Sequence, residues 1–524
     1  MSSAVPVSAH YAAPAIARGF GDSCEVEVKF VAENTALADV TRATRSAVAD
    51  ASVRTLVSIY FDTPGDDLRR SGHTLRIRRA GDATPVMSVK SSALAEAGPF
   101  QRHEVEVPVP GGLPDPSLLP AGLRSVLLAA AGGQPLLKRF ETRVQRTVML
   151  RTHRASVIEI ASDVGEIIAG GQTAPLSELE LELKSGKVDD LLDFASSMAG
   201  QAGLRLDFVS KSERGFRLAL GLQSSPAKAL SLAIPPDASA GEAMVVILAN
   251  SLAHFVANWD GLRHTTDPEC IHQMRVSLRR MRSALGLFRP AFAADADAGK
   301  FLEELRARAK RIASALGPAR EYDVFLDMAA HGPLRSPDCP GGGEALLAIV
   351  RERQAAAYAA ARQVIDSADA ARFVFDIQAG IACPPDGADV PARAFAAKAL
   401  ARLDRRAEKR GADMPNLDDD ARHDLRIALK NLRYGAEFFE GLFGRHKKAR
   451  AFGKAVASLQ DLLGAHNDVI TARRVVDEIA SSPDRQAAAA AAYVLGWFAR
   501  GVPMADEALK DAWRDFRHAP RYWG

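Results

Sequence analysis

The stretch Glu25-Val-Glu-Val-Lys29-Phe30 alternates charged with apolar residues without a break. Side chains of a β-strand point alternately to its two faces, so this stretch predicts a strand with charges on one face and apolar residues on the other. For one isolated strand, the default interpretation is a sheet face exposed to solvent, because antiparallel sheets often have one wet side. Whether this face is merely solvated depends on how often the pattern recurs.

The same alternation recurs in three later stretches, which are Leu75-Arg-Ile-Arg78, Arg102-His-Glu-Val-Glu106 and Glu178-Leu-Glu-Leu-Glu-Leu-Lys184. Strands that each carry one apolar face and one densely charged face of both signs predict a barrel whose interior is lined by charge. Carboxylates are the ligands that a hard divalent cation prefers, and Lys and Arg bind polyanions. The N-terminal part of the chain therefore predicts an interior site for a divalent metal ion and a polyanion.

These stretches resemble the CYTH family, also called the triphosphate tunnel metalloenzymes, over residues 22–222. The resemblance rests on pieces that follow the family's order: Glu25-x-Glu-x-Lys29, Tyr60-Phe-Asp-Thr63, Leu75-Arg-Ile-Arg78, Lys90, Arg102-x-Glu-x-Glu106, Arg146, Asp163-Val-Gly165, Glu178-x-Glu-x-Glu-x-Lys184 and Lys211-Ser-x-Arg214. It implies an antiparallel β-tunnel in which a divalent metal assists hydrolysis of a triphosphate. Such hydrolysis needs charge neutralisation and a positioned water rather than covalent chemistry from the protein.

The resemblance also implies a role for each charged position. The metal ligands, for Mg²⁺ or Mn²⁺, would be Glu25, Glu27, Glu180 and Glu182, with Asp163 and Glu104 as further candidates. The catalytic cations that grip the phosphates would be Lys29, Arg76, Arg78, Lys90, Arg146 and Lys211, and further substrate-binding cations would be Arg102, Lys184 and Arg214. Val164 and Ser88 depart from the family pattern, but neither replaces one of these groups, so activity is expected to survive.

Length and composition limit the remaining possibilities. A chain of 524 residues is too long for one core, and 47% hydrophobic with 25% charged residues is ordinary for a soluble globular protein. A net charge of +3 gives no overall field that favours nucleic acid. The four cysteines show no zinc-site or redox spacing, which fits a reducing compartment. Residues 1–21 predict a disordered tail rather than a signal peptide, and Ala487–Leu495 is too short to span a bilayer, so a cytoplasmic location is expected.

The predicted fold class is α+β, with an antiparallel β-barrel or tunnel and flanking helices followed by an all-α domain. In the first part, helices are predicted at Thr35–Val48 and Asp189–Ala202, and strands at Arg139–Arg151 and Ser156–Ala161. A proline-containing linker is predicted at residues 223–237. Residues 238–518 show apolar residues at helical spacing and predict two pseudo-repeated helical bundles.

One pattern of cationic residues occurs twice in the helical part. Its two copies are His272, Arg275, Arg279 and Arg282, and His423, Arg426, Lys430 and Arg433, with identical spacing. These positions fall within an arc of about 80° on one face of a helix. A solvated or acid-paired face would explain one copy, but the repetition favours a polyanion with regularly spaced phosphates. Aromatic residues are not interleaved with either copy, which argues against stacking on single-stranded nucleic acid.

The helical part resembles the CHAD domain, the conserved-histidine α-helical domain, over residues 238–518. The matching pieces are His272-x-x-Arg275, Arg279-Arg280-x-Arg282, Leu316-Gly-Pro-x-Arg320-x-x-Asp323, His423-x-x-Arg426, Lys430-x-x-Arg433-Tyr434 and Gly496-Trp497. The resemblance implies binding of inorganic polyphosphate, with polyphosphate granules as a candidate partner.

Three functions therefore compete. The first is a metal-dependent inorganic triphosphatase with a polyphosphate-binding domain. The second is a non-catalytic polyphosphate-binding protein whose tunnel only captures chain ends. The third is a thiamine-triphosphatase or adenylate cyclase of the same fold. For all three, the expected partners are phosphate compounds, with neither nucleic acid nor membrane.

Overall fold

The computed structural model of the protein describes residues 24–46, 51–91, 99–201, 203–293, 295–339, 341–385, 388–414, 416–480, 484–501 and 505–524. The tail predicted at residues 1–21 lies outside these ranges. The chain divides into two compact units. The first unit is Met1–Ser225 together with Asp366–Ala382, and the second is Pro226–Ile365 together with Cys383–Gly524.

The strands of the first unit form one antiparallel sheet. In chain order they are β1 (Cys24–Val31), β2 (Ala51–Asp62), β3 (His73–Ala80), β4 (Val86–Ser91), β5 (Gln101–Pro108), β6 (Leu137–His153), β7 (Ser156–Ala169), β8 (Gln172–Ser185) and β9 (Arg205–Asp207). Their order in the sheet is β5-β4-β3-β2-β6-β7-β8-β1-β9, and a further pairing of β5 with β1 closes strands β1 to β8 into a barrel. The predicted antiparallel barrel is confirmed.

Helices interrupt and cover this sheet. They are α1 (Asn34–Arg45), α2 (Asp67–Arg70), α3 (Ala121–Ala131), α4 (Val188–Met198) and α5 (Lys211–Leu220). Ser210 caps α5, because its hydroxyl accepts a hydrogen bond from the N–H of Glu213. The helix ends at Gly221, whose φ of 64° lies in the left-handed region that glycine tolerates. Both signals place Lys211 in the first turn of α5, which packs against β6 and β7.

Strand β8 shows how the alternating sequence produces the barrel. Leu179 and Leu181 are fully buried on one face of the strand. Glu178 on the other face is equally buried, with 0% of its surface exposed. The charged face of this strand is therefore fully enclosed at Glu178 and only partly exposed at Glu180 and Glu182. A buried charge is costly unless it is paired, so the interior must contain compensating cations.

The remaining helices are α6 (Ala240–Ala257), α7 (Trp259–His264), α8 (Pro268–Phe288), α9 (Ala296–Ala315), α10 (Gly317–His331), α11 (Gly343–Ile365), α12 (Ala368–Ala382), α13 (Ala392–Arg410), α14 (Asp419–Phe439), α15 (His446–Ala480), α16 (Arg485–Gly501) and α17 (Ala505–His518). All of them except α12 belong to the second unit. Because α12 packs against α4 in the first unit, that unit includes a segment that the sequence pattern assigns to the helical half.

The internal repeat is visible in the structure. Helices α8 and α14 each have 21 residues, and each is followed by a short 3-10 helix. The next part of the first copy is α9 and α10, whereas in the second copy a single helix of 35 residues, α15, takes their place. The copies also match in detail. A Cβ added at Gly317 would lie 3.3 Å from Nη1 of Arg275, and one added at Gly464 would lie 3.9 Å from Nη2 of Arg426.

The predicted linker has no regular secondary structure up to Pro235, but it is attached to α6 within the second unit. Asn258 exchanges two hydrogen bonds with the backbone of Ala227, at 3.0 and 2.8 Å. Asn250 donates a third, of 3.0 Å, to the carbonyl oxygen of Leu230. The segment after Pro226 is therefore held against the helical unit instead of hanging free between domains.

Among the described residues, Ala240–His264 is long and apolar enough, by length and composition, to cross a membrane. Its most apolar window has a mean hydropathy of 1.5, and 67% of that window is buried inside the structure. Core helices of soluble proteins pass the same test.

Candidate functional site

The barrel interior brings strands β1, β8 and β7 together at its acidic wall. Glu27 pairs with Glu182 and Lys29 with Glu180 across β1 and β8. Directly paired residues point to the same face, so the opening charged stretch and the later acidic stretch share one surface. The sequence predicted both stretches without showing that they are neighbours.

A buried cluster of carboxylates lies where β7 and β8 face α5. Ligand atoms of Asp163, Glu178 and Glu180 lie within 4.8 Å of one another. Lys211 occupies the centre of this cluster: its Nζ lies 2.9 Å from Asp163 and 2.7 Å from Glu180, and it also contacts Glu178. Burial works against ionisation of Lys211, but the three carboxylates outweigh it and raise the lysine pKa well above its usual value. The ammonium group of Lys211 therefore offsets part of the negative charge of this cluster.

Arg146 neutralises the same cluster from β6. Its guanidinium donates two hydrogen bonds to Asp163, of 2.7 and 2.6 Å, and one of 2.6 Å to Glu180. Burial alone would raise the pKa values of both carboxyl groups, but Lys211 and Arg146 reverse the direction and hold both below their usual range. The predicted metal ligands Asp163 and Glu180 are thus ion-paired with two of the predicted catalytic cations.

A second acidic set crosses three strands in one row. Glu182, already paired with Glu27, is also paired with Glu159 of β7. The cation beside them is Lys184, whose Nζ lies 2.7 Å from Glu182 and 3.6 Å from Glu159. Burial raises the pKa of Glu182, and the neighbouring charges of Glu159 and Glu27 raise it further despite Lys184. We call Glu27, Glu159 and Glu182 the acidic row.

Glu25 extends the acidic row along β1. Burial raises its pKa to about 7, with a further contribution from Glu104 and an opposing one from Lys90. Burial favours the neutral form of a carboxyl group, and added positive charge favours the ionised form. A divalent cation would supply that charge, and carboxylate oxygens are its preferred ligands. Glu25 and the acidic row therefore fit the divalent metal that the resemblance implies.

Glu159 was not among the predicted ligands. It stands between Ile158 and Ile160, the same alternation that marked the other strands. Because that stretch contains a single charge, the pattern was too short to single it out.

The facing wall of the barrel carries the predicted cations of β3 and β4. Arg76 donates to Glu104 at 3.1 Å, and Lys90 contacts Glu104 at 2.7 Å and Glu25 at 3.0 Å. Arg76 and Lys90 overcome the effect of burial and lower the pKa of Glu104 to about 2. Glu104 thus serves in this structure as a counter-ion that orients Arg76 and Lys90. Arg78 is similarly bonded to Glu106, at 2.5 Å.

The remaining predicted tunnel cations surround Lys29. Its buried Nζ donates to the carbonyl oxygen of Val209 and lies 3.7 Å from Asp207, which also accepts a 2.7 Å hydrogen bond from Arg214. Burial lowers the pKa of Lys29, and Arg214 and Arg102 contribute in the same direction. The predicted residues Lys29, Arg102 and Arg214 therefore lie close enough to influence one another.

In the second unit, the arginines of the first copy of the cationic pattern lie close together and close to Arg320 of α10. Within the described part of the chain, none of Arg275, Arg279, Arg282 or Arg320 forms an ion pair with a carboxylate. Arg275 donates instead to the backbone oxygen of Ala313. Burial, together with the positive charges of Arg279, Arg320 and Arg282, lowers the pKa of Arg275 to about 10.

His272 experiences the same field. Burial lowers its pKa to about 4, and the positive charges of Arg320, Arg279 and Arg275 act in the same direction. Arg320, from α10, was quoted in the resemblance but not predicted as a binding residue. Its position beside the stripe makes it a further member, and we call His272, Arg275, Arg279, Arg282 and Arg320 the first cationic stripe. Cations held together without ion-paired carboxylates in the described part of the chain form a site prepared for an anion.

The second cationic stripe, made of His423, Arg426, Lys430 and Arg433, differs in its partners. Arg433 donates to Glu437 at 2.8 Å and to Gln460 at 3.3 Å. Burial would lower the pKa of Arg433, but Glu437 outweighs it and the net shift is upward. His423 is exposed, whereas His272 is half-buried. The two stripes share their spacing, but the second is partly neutralised by the protein itself.

Comparison with known proteins places each half of the chain in a family. Residues 23–216 match the model of the CYTH domain, and residues 246–477 match the model of the CHAD domain.

Three similar proteins illustrate the matches. An inorganic triphosphatase of Haemophilus influenzae is 33% identical over 167 residues, which is 31% of this chain and 46% of that protein. An uncharacterised protein of Mycobacterium tuberculosis is 28% identical over 298 residues, covering 53% of this chain and 54% of the other. The crystal structure of the CHAD domain from the plant Ricinus communis is 32% identical, with a TM-score of 0.49, and covers 57% of this chain and 99% of that one. The chain thus spans about half the length of these two curated relatives.

Proposed function

Since the chain belongs to the CYTH family over residues 23–216 and to the CHAD family over residues 246–477, we propose that it is a divalent-metal-dependent inorganic triphosphatase whose helical half binds inorganic polyphosphate. The observation that carries the first part is the division of the barrel interior into an acidic row on one wall and a set of cations on the other. The similarity to the Haemophilus inorganic triphosphatase supports the same reaction.

In this proposal Glu25, Glu27, Glu159 and Glu182 hold the metal, as Mg²⁺ or Mn²⁺. When bound, the metal supplies charge neutralisation and makes water more acidic. Glu104, Asp163 and Glu180 act differently, because the cations paired with them hold their pKa values below the usual range, whereas the pKa values of Glu25 and Glu182 are raised. Glu178 is grouped with them because it is fully buried against Lys211. Their role is to keep Arg76, Lys90, Arg146 and Lys211 pointing at the substrate.

The cations perform most of the work on the substrate. Arg76, Arg78, Lys90, Arg146 and Lys211 line the barrel from several sides, so a linear triphosphate is gripped along its length. Phosphoryl transfer depends on positioning and on stabilising the charge of the equatorial oxygens. Because these cations are fixed by ion pairs before substrate arrives, little reorganisation is needed in the transition state. A carboxylate of the acidic row accepts the proton of the attacking water.

Substrate size provides the first prediction. The full-length protein should cleave inorganic triphosphate with a kcat/KM at least about tenfold above that for ATP, a difference of ~1.4 kcal/mol. The reason is that the nucleoside must be accommodated at the tunnel mouth, whereas triphosphate is gripped entirely by the barrel. Phosphate release should be measured from triphosphate, ATP, thiamine triphosphate and long-chain polyphosphate. Equal or higher kcat/KM for ATP or thiamine triphosphate would instead support a nucleotide- or thiamine-directed enzyme.

The helical half is proposed to bind polyphosphate mainly through the first cationic stripe. Its arginines converge from α8 and α10 and lack acidic partners in the described chain, so a bound anion would relieve their mutual repulsion. The guanidinium group offers a planar pair of donors that matches phosphate oxygens. The second cationic stripe adds a second set of contacts, weakened by Glu437.

A further inference from the structure

Helix α12 brings an aromatic side chain into the first unit, although the chain on both sides of it belongs to the second unit. The ring of Phe375 is buried, with its centroid 6.4 Å from that of Phe30 and 5.8 Å from that of Phe100. The ring of Phe100 lies 5.8 Å from that of Phe208. We call these four rings the aromatic cluster. Phe30 is an outward-facing residue of β1, so the cluster lies behind the acidic wall of the barrel.

Two members of the cluster are sequence neighbours of Lys29 or of residues that contact it. Phe30 directly follows Lys29 in β1. Phe208 lies between Asp207 and Val209, which both contact Nζ of Lys29. A shift of either ring would therefore move the lysine or its partners.

Phe100 supports β1 where the strand changes neighbours. On one side, β1 pairs with β5 over Cys24–Val26 and with β9 over Lys29–Val31. At the gap between these pairings, the N–H of Glu27 donates to the carbonyl oxygen of Phe100 at 2.9 Å. The backbone of Glu27 is thus fixed on this side by the residue whose ring packs against Phe375.

The acidic row makes this support necessary. Glu27, Glu182 and Glu159 carry like charges on adjacent strands, and like charges facing one another across a sheet destabilise the pairing. Packing behind β1 opposes that repulsion. We infer that Phe375, contributed by the helical half of the chain, is a positioning residue that holds Glu27 and Lys29 in place for the reaction in the barrel. The activity part of this inference rests on the proposed function.

The test compares full-length variants Phe375→Leu, Phe375→Val and Phe375→Ala with Val374→Ala. Val374 is a buried neighbour on the same helix, and it is outside the aromatic cluster. Two quantities are measured: kcat and KM for triphosphate, and hydrogen–deuterium exchange of the peptide Cys24–Val31, with His73–Ala80 on β3 as an internal reference. Melting temperatures show how much stability each variant loses.

Phe375→Ala should lower kcat at least about tenfold with a smaller change in KM, since ~1 Å of misplacement costs about 10²-fold. It should also speed exchange in β1 but not in β3. Phe375→Leu should stay within about threefold of wild type, with Phe375→Val between the two, so the series remains informative even if the alanine variant does not fold. Equal losses in Phe375→Ala and Val374→Ala, or unchanged exchange in β1, would overturn the inference. A wild type that releases no phosphate would refute the proposed function, while the exchange measurement would still decide the role of Phe375.

Discussion

Glu27→Gln is expected to lower kcat for triphosphate by about 10²-fold or more, a loss of ~2.7 kcal/mol of transition-state stabilisation. Glu27 is the β1 member of the acidic row and pairs directly with Glu182. The substitution keeps the size of the side chain but removes one charge from the proposed metal site. Because it also removes repulsion from Glu182, the free energy of unfolding should be unchanged or slightly higher. Activity and thermal unfolding of the full-length protein check both expectations.

The matched control for this variant is Glu166→Gln, the same chemical change in the same barrel. Glu166 lies on β7 at an odd spacing from Asp163, so it points to the opposite face of the strand. It should retain wild-type kcat. Activity of Glu27→Gln within about threefold of wild type at saturating Mg²⁺ or Mn²⁺, less than ~0.7 kcal/mol, would remove Glu27 from the metal site.

The second large effect concerns the helical half. The double variant Arg275→Ala and Arg279→Ala should weaken binding of long-chain polyphosphate by at least about tenfold at moderate salt. Its affinity should also depend less steeply on salt concentration, because fewer phosphates are neutralised and fewer counter-ions are therefore released on binding. Removing Arg426 and Arg433 should cost less, since Arg433 is already engaged by Glu437 and Gln460. Binding is measured in chelator, so that the barrel contributes no metal-dependent affinity.

The control for the loss of two positive charges is the double variant Arg405→Ala and Arg406→Ala. Both arginines are exposed residues of α13. This pair removes the same charge away from both stripes and should leave the affinity nearly unchanged. If the Arg275 and Arg279 pair binds polyphosphate as well as wild type while remaining folded, the first cationic stripe is not the binding surface. Equal losses from the two stripes would show that the ion pair of Arg433 does not matter.

Local patterns in the sequence predicted the elements well. The alternation in Glu25–Phe30 and Glu178–Lys184 is a property of single strands, and both became strands of the predicted barrel. Boundaries were less accurate: β7 was predicted to end at Ala161 and continues to Ala169. The additional part of β7 contains Val164 and Gly165, and the glycine interrupts the alternation of apolar residues. A Cβ at Gly165 would lie 2.0 Å from the backbone oxygen of Arg143, so the glycine is required by a close approach of β6.

Partner choice was beyond the sequence, because it depends on contacts between distant segments. Lys211 was predicted as a substrate-gripping cation, but its insertion among Asp163, Glu178 and Glu180 depends on where α5 packs. The same holds for α12, which belongs to the first unit. Its apolar residues predict a buried helix, but they do not indicate in which of the two units it is buried. The difference between the stripes did have a signal. Glu437 follows Arg433 at helical i,i+4 spacing, whereas Gly286 stands at the corresponding position after Arg282.

The measurement that tests the central claim most directly is phosphate release from inorganic triphosphate by the purified full-length protein, with Mg²⁺ or Mn²⁺ added back after chelation. The proposed function predicts multiple turnovers with metal, none in excess chelator, and restoration on adding metal. Tight binding of triphosphate with no phosphate release at any metal concentration would contradict it, and would favour a barrel that only captures chain ends.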